Sequence, residues 1–295
     1  MANLASLTSF KEGDRRKVIR NGSRFEHWKM LFLGGFNSMF VLNLIALLAL
    51  MPVILVGYNY FSTIWETASV LPFASSVGTG IITVVDTASI QYITTQQILL
   101  ENMIYVPLAI FASSVLIAPF FYAIRNAEYD GSVTSYTGAI QGYKFCALKF
   151  AVLGVITALI CELAIVAYYF YNTLVFNGLG TVASVAYLIG LAAYLFFALT
   201  IMIYAYILTV TYKMSIGGAL KRAVVFTFTL PLQNLCITIA TIAPIALAFI
   251  NSFVLSLVVT LYIFVGFSYM LSIWMVYVQT ILTIATPQAA KKSKK

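Results

Sequence analysis

The sequence predicts an all-α, polytopic membrane protein with six transmembrane helices and both termini in the cytoplasm. Three observations carry this. First, 62% of the 295 residues are hydrophobic and only 9% are charged, with a mean hydropathy of +0.97. A water-soluble domain of this length could not present such a composition without aggregating. Second, a hydrocarbon core about 30 Å thick needs roughly 20 apolar residues per helix, and six stretches supply them. Third, all 17 Lys/Arg fall in four places: the tail before the first span, two loops at 125–149 and 211–223, and the closing AKKSKK. With six spans those places share one face, which the positive-inside rule makes the cytoplasm.

Taken in order, residues 1–29 form a basic cytoplasmic tail with no apolar run, so a cleavable signal peptide is not expected. The transmembrane domain covers residues 30–282, with spans at 30–56, 103–124, 150–171, 181–210, 224–250 and 253–280. A second basic tail covers 283–295. The long segment 59–102 lies on the outer face and carries Glu66, Asp86 and Glu101 but no base. Within it, residues 69–85 are uncharged and nearly long enough to cross. Crossing would move both basic loops outside while the tail stayed inside, so this stretch is kept outside. Pro72, Gly78 and Gly80 argue against a straight helix there. It is either re-entrant or a lid folded over the outer mouth of the bundle.

On the inner side, Val133, Tyr136, Ile140, Tyr143 and Ala147 recur at intervals of three and four. That spacing places them on one helix face and predicts an interfacial helix on the inner leaflet over 132–149. Asp130-Gly131-Ser132 supplies its turn and cap. Gly138 and Gly142 have GxxxG spacing, a weak signal outside an apolar 20-mer. The basic tails are topology signals and contacts for anionic lipid at the inner face, worth about 1 kcal/mol per base near the surface. They are not a nucleic-acid interface.

Few residues carry chemistry. Glu162 is the acid well inside a predicted span, and a charged carboxylate there costs at least a few kcal/mol. It should therefore face the bundle interior, either as a proton or cation site or as a neutral carboxyl held by neighbouring hydroxyls. Asn37, Asn43, Gln233 and Asn234 are the other intramembrane polar groups that need internal partners, and they read as packing specificity. Pro52, Pro107, Pro119, Pro231 and Pro244 sit in or at the ends of spans, where each can kink its helix. Cys146, Cys161 and Cys236 are scattered, and His27 has no ligand partner nearby, so neither a metal site, a disulfide nor any cofactor is expected. No nucleophile–base pair or phosphate loop is visible, so the chain reads as a non-enzyme.

Residues 117–149 resemble the YesL-like family of bacterial integral membrane proteins, a domain of unknown function. The likeness lies in Ala118-Pro119, Arg125-Asn126, Glu128 to Gly131 and the Tyr136-Gly142-Tyr143-Lys144 segment. A second stretch, TVTYKMSIGGALKRAVVFTFTLP at 209–231, is similar to another loop of that family. Ala118, Lys213 and Arg222 depart from its pattern, and the outer segment is longer than in short members. The resemblance implies a six-span bacterial plasma-membrane protein associated with carbohydrate uptake systems, with no established activity. The function expected is transport-associated, as an accessory or component of an uptake system. Arg125, Tyr143, Lys144, Gly218, Lys221 and Arg222 would then dock transporter subunits. An importer permease is a sharper form: Gly218, Phe228, Leu230 and Pro231 reproduce the latter half of the importer coupling loop, whereas Tyr212, Lys213 and Met214 replace its E-A-A half. A structural, assembly or signalling membrane protein fits the same features.

Overall fold

The computed structural model describes residues 36–76, 87–130, 136–212, 214–247 and 250–285, and every regular element among them is helical. In chain order these are α1 (Phe36–Ser76), α2 (Thr87–Leu116), α3 (Ala118–Asp130), α4 (Tyr136–Phe176), α5 (Thr181–Thr211), α6 (Ile216–Thr229), α7 (Pro231–Leu247) and α8 (Ser252–Leu261). A π-turn at Tyr262–Gly266 leads into α9 (Phe267–Ala285). Five stretches are long and apolar enough to cross a membrane: Met39–Asn59, Thr95–Asn126, Gly142–Phe176, Thr181–Thr211 and Phe253–Ile281. A sixth arises if α6 and α7, which meet at 95°, make one broken span. These helices are consistent with a multi-pass membrane protein.

Three elements differ from the sequence reading. No separate interfacial helix precedes the third span, because α4 is one helix of 41 residues from Tyr136, roughly 60 Å long. Its buried stripe is Gly142, Cys146, Phe150 and Leu153, whereas Tyr143 is exposed. Tyr143 of the periodic set lies off this packed stripe. Next, α1 continues unbroken to Ser76, so the first part of the supposed outer lid is a helical extension. Residues 77–85 of that stretch, the turn at 131–132, the N-terminal tail with His27, and residues 286–295 of the C-terminal tail lie outside the described residues, whereas 283–285 end α9. Finally, the apolar run 224–250 is not one straight span. Its first six residues belong to α6, and the chain turns at Leu230.

The chain divides into two compact units. The first comprises residues 1–49, 115–153 and 200–295, and its core is the C-terminal part of α5, where Tyr204 to Thr211 are all buried. Tyr206 meets Phe121 of α3 and Phe150 of α4 at ring distances of 5.7 and 4.8 Å. Tyr204, on another side of α5, meets Phe226 of α6 and Trp274 and Tyr277 of α9. Aromatic pairs of this kind add about 0.5–1.5 kcal/mol beyond their buried area. Gly142 is buried where a Cβ would run into the Tyr122 ring, so α3 and α4 close only because glycine stands there.

The second unit comprises 50–114 and 154–199. Here Tyr187 and Tyr194 of α5 donate to the carbonyls of Ala167 and Ile160 on α4, at 2.8 and 3.0 Å. Both pairs are seven residues apart, about two helical turns, which fixes an antiparallel register. The α4–α5 connection permits it. Leu179 N–H reaches Leu174 O, Gly178 N–H reaches Val175 O, and Gly178 takes φ +92°, a Schellman cap that a side chain would strain. On α2, Gln96 donates to Thr173 Oγ1 at 2.8 Å, and Tyr92 stacks on Phe176 at 4.2 Å.

Candidate functional site

The α6–α7 elbow assembles a set of buried polar contacts. Ser215 caps α6, its hydroxyl accepting from Gly218 N–H at 3.2 Å. At the other end Leu230 leaves the helical region with φ −126° and ψ 47°. Pro231 explains this. Its ring disfavours the α conformation in the residue before it, and at a first helical position its missing N–H costs no hydrogen bond.

A bend exposes carbonyls, and Asn234 meets them. Its Nδ2 donates to Thr227 O at 3.2 Å and Phe226 O at 3.4 Å, while its Oδ1 accepts from Tyr204 at 2.7 Å and Tyr277 at 2.9 Å. Both ends of the amide are saturated, and the residue is fully buried. One side chain thereby ties α5, α6 and α9 to α7. The bend is thus braced by contacts from three other helices.

Ahead of the elbow, Met214 joins the two base-bearing regions. Lys149 of α4 donates to Met214 O at 3.2 Å, and Arg222 of α6 lies 3.9 Å from its sulfur. Arg125, read as a docking residue, is instead buried: it donates to Asn126 Oδ1 at 3.1 Å and lies over the Tyr122 ring at 5.5 Å. Tyr143, Lys144 and Lys221 are exposed, with Gly218 and Arg222 half-buried. The resemblance of Gly218, Phe228, Leu230 and Pro231 to a coupling loop has a local explanation here. Gly218 meets the helix cap, and Leu230-Pro231 makes the bend.

Asn43, also fully buried, works the same way at the π-turn. Its Nδ2 donates to Tyr262 O and Ile263 O, both at 2.8 Å, and its Oδ1 accepts from Ser268 N–H at 3.0 Å. The amide thus inserts into the backbone ladder, and Ser268 Oγ ties back to Met39 O at 2.9 Å. Gly266 is required too, since a Cβ there would meet the Tyr262 ring.

Glu162 lies half-buried on α4 in the second unit, with Oε2 buried and no hydrogen-bond partner among the described residues. Cys146 is buried, Cys161 half-buried and Cys236 exposed, all as free thiols. Among the described residues no three His, Cys, Asp or Glu side chains gather as metal ligands would. No family model, curated protein or solved structure matches the chain. The likeness to the YesL-like family rests on the quoted motifs alone. Sequence reasoning missed Tyr204, Tyr277 and Met214, which look like any other apolar or aromatic residue in a hydrophobic run. Asn234 was visible as a polar group seeking partners, and its place just after Pro231 was the signal that it faces a broken helix end.

Proposed function

We propose that this chain is a multi-pass protein of the bacterial plasma membrane, with both termini and the basic loops in the cytoplasm. In this reading it is an accessory or component of a solute uptake system that docks a cytoplasmic subunit. Charge supports the topology. Among the described residues Arg125, Lys144, Lys149, Lys221 and Arg222 all belong to the first unit, which also holds Glu128 and Asp130, whereas the second holds Glu66, Glu101 and Glu162 and no described base. The observation that carries docking is the Met214 junction, which brings Lys149 of α4 and Arg222 of α6 to one residue. Lys144 and Tyr143 are displayed beside it on α4.

Gentle-detergent purification from the native membrane, followed by mass spectrometry of what remains bound, tests this. A stoichiometric ATPase or permease subunit that is lost in Lys144→Glu supports the reading. A protein that purifies without partners refutes it and favours a structural or assembly role. Glu162 is the candidate for proton or cation coupling, and Glu162→Gln would then alter uptake while folding stays intact. Unchanged uptake removes it from the site.

A further inference from the structure

We infer that α6 is an in-plane anchor that lies in the headgroup region of the bilayer, with Val224 and Phe228 in the acyl boundary and Lys221 against anionic lipid phosphates. The inference goes beyond partner docking and depends only on α7 crossing the membrane.

The first observation is the angle. α7 has 17 residues, about 25 Å of helix, close to the thickness of a hydrocarbon core. A helix set at 95° to a crossing helix runs nearly parallel to the membrane plane. Asn234 holds this angle through the last carbonyls of α6.

The second is the division of α6 around its axis. Ala219, Ala223, Phe226 and Thr227 form the face buried in the first unit. Gly217, Lys221, Val224 and Phe228, spaced four, three and four apart, form the opposite, exposed stripe. Leu220 lies on one flank of that stripe, while Gly218, Thr229 and Arg222 lie on the other. Protein contact and exposure thus occupy opposite sides of α6, and within the exposed stripe Lys221 takes the edge next to the Gly218, Arg222 and Thr229 flank, beyond Val224 and Phe228, as a helix at a membrane surface requires.

The third is continuity. Phe228 is 59% exposed, and its apolar stripe leads directly to Leu232, 75% exposed, and on to Leu235, Ile239 and Ile242 along α7. Those residues face hydrocarbon if α7 spans. Val224 and Phe228 extend that surface around the elbow, and Lys221 places a cation at its edge where phosphates lie.

The test uses the full chain with Cys146→Ala, Cys161→Ala and Cys236→Ala, reconstituted without partners in phosphatidylcholine–phosphatidylglycerol vesicles. Nitroxides are placed singly by Lys221→Cys, Val224→Cys, Phe228→Cys and Ile239→Cys, and their collisions with oxygen and with a water-soluble nickel complex are compared. Labels at 224 and 228 should favour oxygen over nickel several-fold more than the label at 221 does. Independently, Lys221→Gln in the otherwise unaltered chain should lower the preference for spin-labelled phosphatidylglycerol over phosphatidylcholine, and Glu162→Gln should not. If 239 favours oxygen while 224 and 228 match 221, α6 stands in water and the inference fails alone. Nickel access at 239 as well overturns the crossing of α7 itself. A lipid preference unmoved by Lys221→Gln overturns the anionic contact.

Discussion

Two breaks in this molecule are marked by proline, and they end differently. At Ile117, before Ala118-Pro119, the chain loosens into a turn, with Phe120 N–H at 3.0 Å and Phe121 N–H at 3.3 Å from Ile117 O. α2 and α3 still pass as one span, Thr95–Asn126. At Leu230, before Pro231, the axis turns by 95°. Pro107 and Pro244 meanwhile lie inside α2 and α7. Proline therefore permits a bend and does not set its size. The two breaks differ in their donors: backbone amides of α3 reach Ile117 O, whereas past Pro231 a side chain, Asn234, donates to Thr227 O.

The largest expected effect comes from removing that side chain. Asn234→Leu removes four buried side-chain hydrogen bonds and takes from Thr227 O its side-chain donor, so stability should fall by roughly 2–4 kcal/mol. Thermal unfolding in detergent reads the loss, and spin-label distances across the elbow should broaden. A distribution as narrow as in the parent would show that packing alone sets the angle. Next, Gly142→Leu drives a side chain into Tyr122 and should cost about 1–3 kcal/mol. Tyr122→Ala in the same chain should recover part of it, a coupling that a double-mutant cycle measures directly.

Smaller effects sharpen the contrast. Pro231→Ala should leave the elbow distances unchanged and shift stability by less than about 1 kcal/mol, because Asn234 still holds the α6 carbonyls. Straightening of the helix instead would return control to proline. Tyr187→Phe, which loses a single interhelical bond to Ala167 O, should cost only about 0.6 kcal/mol, near the average for such bonds in a membrane protein.

These cases also explain what the sequence could and could not disclose. Apolar runs of the right length were plain, and so were Asn43 and Asn234 as groups in need of partners. The elbow was hidden because residues 224–250 are apolar on both sides of Pro231, and hydropathy carries no direction. The length of α4 was hidden for the opposite reason. Lys144 and Lys149 read as part of a separate interfacial helix that ends before the span, yet Lys149 reaches Met214 O from within one continuous helix. The packed face of α4 was hidden because it starts at Gly142, which has no side chain to weigh in a periodic pattern. Arg125 looked like surface until Tyr122 and Asn126 were seen around it.

The π-turn carries a consequence of a different sort. A turn of this type holds one residue more than the helix around it needs, so every side chain beyond Gly266 is rotated by about 100° relative to an uninterrupted helix. On the N-terminal side only Val258 of α8 is buried among its described side chains, whereas Trp274 to Ile281 of α9 are buried throughout. The surplus residue works as a phase shifter between these two environments. Deleting Val265 should regularise the helix and keep α9 in phase with its neighbours, whereas deleting a residue within α9 should throw the rest of that helix out of phase.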